Sequence, residues 1–268
     1  MSLRINTNIE AYDAHRQLAA TSDTLASSME RLSSGYRINR AADDAAGLAI
    51  SEKLQGQITG LDQAQRNSQD AVSLVQTAEG SLNEVHSMLQ RVRELAVQYE
   101  NGTLSSSDKA AIQSEASALG SEIERIGGSA QFNGISLLSA ATTITFQVGA
   151  MDGESISVTM ISLGQNVPAS TYNFSVGGAI ISQIDAAIDT VSVERAQFGA
   201  VENRLNHTLS NLSVYEENLQ SSESRIKDVD MAAEMSNFTK EQILQQSGTA
   251  MLAQANQLPQ SVLQLLKG

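Results

Sequence analysis

Residues 184–226 read IDAAIDTVSVERAQFGAVENRLNHTLSNLSVYEENLQSSESRI, and every seventh position from the first is apolar: Ile184, Val191, Phe198, Leu205, Leu212, Leu219 and Ile226. An α-helix completes a turn in about 3.6 residues, so a seven-residue step returns to nearly the same face and lines these side chains up as one stripe. A ladder this long without a polar interruption requires another helix to cover it. A second long ladder lies upstream. From about 43 to 100 it passes through Leu54, Leu61, Val75, Leu82, Leu89 and Ala96, with only Ser68 polar, and Val85, Val92 and Tyr99 add another row in its later half. Unbroken helices of that length belong to coiled coils rather than to rounded domains.

Shorter segments flank these two. Residues 3–33 form an amphipathic pattern with Ile5, Ile9 and Tyr12, then Leu18, Leu25 and Leu32 in sevens, and Ser33-Ser34-Gly35 breaks it. A link containing Arg31, Arg37 and Arg40 follows, and Asp43 and Asp44 open the next helix, as acids do at a positive helix end. Asn101-Gly102 closes that helix. Ser105-x-x-Asp108 resembles a capping box for a third helix carrying Ile112, Ala116, Leu119, Ile123 and Ile126, which Gly127-Gly128 should stop. The period then changes to two: Ile144, Phe146 and Val148 face Ile156, Val158 and Met160 across Asp152-Gly153, a β-hairpin signal. Residues 161–178, with Pro168 and Gly177-Gly178, read as an exposed turn region. A last helix over about 231–266 carries Leu244, Met251, Leu258 and Leu265 in sevens, with Val262 on the same apolar tail.

The expected fold is mainly α: an elongated helical bundle or coiled coil with a small β-hairpin region. Its expected parts are 1–42 and 231–268 as the two halves of one terminal domain, 43–140 and 179–230 as the helices of a core domain, and 141–178 as hairpin and turn. Composition agrees. Of 268 residues 41% are apolar, but only 4% are aromatic, and there are two prolines and no tryptophan. Side-by-side helices need Ala, Leu, Ile and Val, and tolerate little proline.

Charge is distributed unevenly. The net charge is −13, yet residues 1–50 hold five Lys/Arg against six Asp/Glu, and residues 231–268 hold two of each. Nearly all the negative charge sits between them. Neutral apolar ends can associate with copies of themselves while an acidic middle stays solvated. An acidic chain lacks the positive field that nucleic acid requires. No stretch approaches the roughly 18 apolar residues of a membrane span. There is no cysteine, and His15, His86 and His207 stand apart from one another, so no cofactor or metal is expected. No nucleophile elbow or phosphate loop occurs, and an enzyme is not expected. The N-terminal residues lack the apolar run of a cleaved secretory signal. Asn206-His207-Thr208 and Asn211-Leu212-Ser213 fit the N-glycosylation pattern but fall within a helix; Thr142, Thr143 and Ser170 near the hairpin are candidate acceptors of O-linked sugars.

Several runs closely resemble bacterial flagellin: Ile5-Asn6-Thr7-Asn8, 31–39 (RLSSGYRIN), 42–47 (ADDAAG), 90–97 (QRVRELAV), 131–134 (QFNG), 224–230 (SRIKDVD), 242–248 (QILQQSG) and 251–257 (MLAQANQ). They occur in the family's order and span both halves of the chain. The resemblance implies a structural subunit that polymerises into the flagellar filament for swimming. Ile5, Ile9, Leu18, Leu25, Leu32, Leu244, Met251, Leu258, Val262 and Leu265 would then carry polymerisation. It implies export without signal cleavage to an extracellular filament, and partners in an export chaperone, a cap and hook-junction proteins. It also implies that Arg31, Arg37, Arg40, Asp43 and Asp44 join inner and outer shells through ion pairs, some with neighbouring subunits. Gln90, Arg91, Glu94, Leu95 and Glu115 match the stretch recognised by vertebrate Toll-like receptor 5. Compared with larger flagellins the chain looks minimal, lacking large outer domains. Two alternatives stand beside this reading. One is a hook–filament junction protein with the same terminal helices; the other is a coiled-coil adaptor whose helices pair without polymerising.

Overall fold

The computed structural model describes residues 8–167, 172–174 and 180–267, with side chains as far as 257. In chain order the elements are α1 (Ile9–Ser34), α2 (Ala45–Tyr99), α3 (Ser106–Ser129), β1 (Gln131–Phe132), β2 (Ile135–Ser136), β3 (Thr143–Gln147), β4 (Ser155–Thr159), α4 (Leu163–Asn166), α5 (Ile180–Lys227) and α6 (Met231–Lys267). The fold is mainly helical, with two small antiparallel strand pairs. The chain divides into two compact units, Met1–Gly56 with Asn218–Gly268, and Gln57–Glu217.

In the 57–217 unit, the two long ladders meet. Leu61, Val75, Leu82, Leu89 and Ala96 of α2 are buried together with Ile184, Val191, Phe198, Leu205 and Leu212 of α5. Ser68 sits in the α2 ladder, fully buried, and satisfies its hydroxyl by donating to the Ala64 carbonyl at 2.8 Å, which removes the main cost of a polar group in a core. The helices run antiparallel. Gln76 donates to Glu202 at 2.8 Å, and Arg93 pairs with Asp185 at 2.5 Å. These pairs lie on the exposed edges, where each is worth about 0–1 kcal/mol, so the apolar seam holds the helices together.

Helix α3 begins as its capping box dictates: Asp108 N–H donates to Ser105 Oγ at 3.3 Å, and Ser105 N–H donates back to Asp108 at 3.1 Å. It does not stop at Gly127-Gly128 but continues to Ser129. Gly127 is buried where a Cβ would press on the Leu163 side chain at 3.3 Å. The glycine admits a close neighbour rather than ending the helix. The hairpin forms as the alternation predicts, with Ile144 opposite Val158 and Phe146 opposite Ile156, and Gly153 takes φ +88° in its turn.

The expectation of an exposed turn over 161–178 fails for the residues described there. Ile161, Ser162, Leu163, Val167, Tyr172 and Phe174 are buried. Gln113 of α3 clasps the segment from both sides, donating to the Tyr172 carbonyl at 2.7 Å and accepting from Phe174 N–H at 2.7 Å. The Tyr172 ring lies over Gly120, where any Cβ would collide with it, and Phe174 packs against Tyr99 with ring centroids 5.5 Å apart. Burial raises the pKa of the Tyr172 hydroxyl, with the nearby Glu124 charge adding to the effect. Pro168, Ser170 and Gly177-Gly178 lie outside the described residues.

Candidate self-association surface

The other unit is built around α1 and α6. Asn8 accepts from Ala11 N–H at 3.1 Å, capping α1, and its amide donates to the Ala255 carbonyl at 2.8 Å. Further along α1, Leu18 lies against Gly248, and Thr24 donates to Glu241 at 3.4 Å. As the α1 position rises the α6 position falls, so the two helices are antiparallel. Gly35 ends α1 in the left-handed conformation at φ +77°, which glycine adopts without penalty, and its N–H donates to the Arg31 carbonyl at 2.9 Å. The chain then bridges to the turn between α5 and α6: Arg37 N–H donates to the Lys227 carbonyl at 2.6 Å, Val229 N–H donates to the Gly35 carbonyl at 3.0 Å, and the Lys227 ammonium stands 4.6 Å from the Tyr36 ring centre.

Pairing leaves much of both helices bare. Leu18, Leu25 and Leu32 are only half-buried. On α6 the contacts with α1 are made by Glu241, Gly248 and Ala255, and Phe238, Gln245 and Leu252 are partly covered, whereas Leu244 and Met251, the members of the seven-residue ladder, remain exposed. Ile9, Tyr12, Met29, Met231, Met235 and Ile243 are exposed as well, Tyr12 to 74%. All six fall outside the sevens, and of them only Ile9 was expected to carry polymerisation. Their signal was the count of large apolar residues on both flanks of each helix. A groove of about 740 Å³ between the helices is lined by Leu18, Leu244 and Met251 together with Asp13, Arg16 and Gln254. Ile5 lies outside the described residues, and so do the side chains of Leu258, Val262 and Leu265.

The five link residues are brought together, but no ion pair joins the arginines to Asp43 or Asp44 among the described residues. Asp43 accepts the backbone N–H of Arg40 at 2.9 Å and of Asn39 at 3.1 Å, and these two bonds, aided by the charges of Arg31 and Arg40, lower its pKa. Asp44 accepts Gly47 N–H at 2.8 Å and so caps α2. Arg40 pairs with Glu30 at 2.9 Å, and Arg37 donates to the Ile226 carbonyl at 2.6 Å. Arg31 Nε is buried without an acceptor. The backbone of a tight link offers more nearby donors than the arginines do, so it takes both aspartates.

In the 57–217 unit, Arg91 forms a two-way bridge, to Glu115 of α3 at 2.8 Å and to Glu94 at 3.0 Å. Gln90 stands beside it, 2.9 Å from the His86 ring. Leu95 does not share this surface. It is 1% exposed, in the core beneath it. Among the described residues, no group of His, Asp and Glu could hold a metal, and no helix is long and apolar enough to cross a membrane.

Known proteins match this arrangement at both ends. The bacterial flagellin N-terminal helical region matches residues 5–143, and the bacterial flagellin C-terminal helical region matches residues 181–266. A flagellin of Halalkalibacterium halodurans is 51% identical over 98% of this chain and 99% of its own length; one of Bacillus subtilis is 46% identical over 99% and 100%. Flagellin A of Vibrio cholerae, 35% identical, needs 379 aligned positions to cover both chains fully, so it carries residues this chain lacks. The crystal structure of Bacillus cereus flagellin superposes with a TM-score of 0.51 at 33% identity, covering 55% of this chain and 88% of that one. With both terminal regions matched in order and half the residues shared with a full-length relative, this chain belongs to the bacterial flagellin family.

Proposed function

We propose that α1 and α6 are the surfaces through which this chain joins copies of itself. A flagellin is a structural subunit of the flagellar filament, and the hook–filament junction and adaptor readings are not favoured. One observation supports placing the contact on the terminal helices: after α1 and α6 have paired, Leu244, Met251, Ile9 and Tyr12 still face solvent. Exposed apolar side chains clustered on one pair of helices mark an interaction surface, and a nearly neutral pair of ends removes the repulsion that −13 charges would otherwise impose on a homopolymer. In this reading 1–42 and 231–268 build the inner part of the filament, and the 43–140 and 179–230 helices the next shell. Arg31, Arg37, Arg40, Asp43 and Asp44 hold the link between them, with Arg40 and Arg37 free to exchange their present partners for acids on neighbours. Export to the cell exterior, and contacts with a chaperone, a cap and hook-junction proteins, belong to the same proposal.

The test is assembly. Dissociated protein, seeded and imaged beside versions lacking 1–40 or 231–268, forms filaments only when both ends are present. Filaments from either truncated chain would refute the assignment.

The Arg91 surface supports a second contact. Gln90, Arg91, Glu94 and Glu115 form one exposed polar patch that suits recognition by vertebrate Toll-like receptor 5, with Leu95 acting only as support from below. We expect the monomer to activate the receptor strongly and the intact filament much less at matched mass. Equal activation by the two would remove this role.

A further inference from the structure

The exposed apolar residues of the terminal unit have an unusual chemical bias. Leu and Ile carry no oxidisable group, but Met29, Met231, Met235 and Met251 also stand on this surface, with Met251 exposed to 65%. The protein's other methionines supply internal contrasts. Met160 is 1% exposed inside the 57–217 unit, Met88 is partly buried there, and Met151 is 52% exposed at the hairpin turn. A thioether is apolar and packs readily; its sulfoxide is polar and disrupts apolar interfaces. Susceptibility follows exposure.

We infer that Met29, Met231, Met235 and Met251 form an oxidant-sensitive set, modified by peroxides in the free subunit and shielded once the subunit is assembled, so that oxidised subunits fail to enter the filament. This rests on the proposed self-association through α1 and α6. In the chemical step a thioether lone pair attacks one oxygen of hydrogen peroxide and forms the S–O bond. The O–O bond breaks, and the departing hydroxide takes the proton carried by the transferred oxygen, leaving the sulfoxide and one water. Sulfur is oxidised by two electrons, peroxide is reduced by two, and no further reactant is required. None of the four side chains sits in the packed core, so the helices can keep their fold while the contact surface becomes polar.

The experiment treats full-length monomer with hydrogen peroxide, removes the oxidant, and measures three quantities. These are sulfoxide at each methionine by peptide mass spectrometry, helical content by circular dichroism, and the critical concentration for seeded elongation. Expected are sulfoxide at the four terminal-unit methionines and at Met151 but not at Met160, unchanged helicity, and a critical concentration raised about tenfold or more. In a variant with Met29→Leu, Met231→Leu, Met235→Leu and Met251→Leu, which keeps the apolar volume, peroxide leaves the variant's own critical concentration where it was before treatment, while Met151→Leu stays as sensitive as the parent. The same dose applied to finished filaments leaves the four sulfurs largely unmodified. An unchanged critical concentration, a loss of helicity on oxidation, or equal sensitivity in the fourfold variant would overturn the inference. Filaments from untreated protein lacking 1–40 or 231–268 would instead overturn the self-association reading on which it stands.

Discussion

Replacing Phe198 with Ala lowers the stability of the 57–217 unit by about 3–5 kcal/mol, as expected when a large side chain is removed from a packed core. Phe198 is the largest of the fully buried side chains among the described residues and the middle of the five buried rungs of the α5 ladder, with Val191 above it and Leu205 below. The truncated position leaves a void that two long helices cannot close, because their backbones are held on either side by the neighbouring rungs. The measurement is denaturant unfolding followed by circular dichroism. Val193→Ala provides the comparison: Val193 lies on the same helix but is mostly exposed, and its truncation shifts stability by about 0.5 kcal/mol or less. Equal effects from the two substitutions would mean that the seven-residue ladder is not the seam.

That ladder was also the most legible part of the fold. A buried stripe on a helix repeats in the sequence itself, so Ile184 through Leu212 and Leu61 through Ala96 could be read without a structure. The hairpin was legible for the same reason, since alternation marks which side chains face inward. What escaped depends on partners distant in sequence. Nothing local in Gly127 distinguishes a helix stop from a place where Leu163 comes close. Nothing local in Tyr172 or Phe174 announces Gly120, Gln113 and Tyr99 as their neighbours, and a stretch rich in Gly, Pro and Ser around them reads as solvent-facing.

The terminal helices show a subtler difference. Seven-residue spacing in α6 singles out Leu244 and Met251, yet the contacts with α1 come from Glu241, Gly248 and Ala255. Gly248 and Ala255 also stand seven apart. Two ladders of equal period coexist on the helix, one of small residues that lets α1 approach and one of large residues that lines the open groove beside it and stays exposed. Periodicity finds both and cannot say which meets the partner within the chain. The same limit applies to the link, where Arg31, Arg37, Arg40, Asp43 and Asp44 look like mutual ion pairs by charge alone, but Asp43 and Asp44 take backbone N–H groups, Arg37 takes a backbone carbonyl and Arg40 pairs with Glu30 instead.

Because Leu244 and Met251 remain exposed after α1 and α6 have paired, Leu244→Lys should separate folding from assembly. Leu244 is exposed in the subunit, so the substitution should leave helicity and unfolding midpoint essentially where they were, Lys being a good helix former. In the filament the same position loses its share of apolar burial, about 1–2 kcal/mol, and must either desolvate an ammonium or bend it out to water. Together these amount to about 3 kcal/mol per contact, and with tenfold in concentration for each 1.4 kcal/mol the critical concentration for elongation rises about a hundredfold. Sedimentation of seeded reactions across a dilution series gives that number directly. If α1 and α6 served only each other, a charge at Leu244 would meet nothing but solvent in every state of the protein, and assembly would proceed at the parent's concentration.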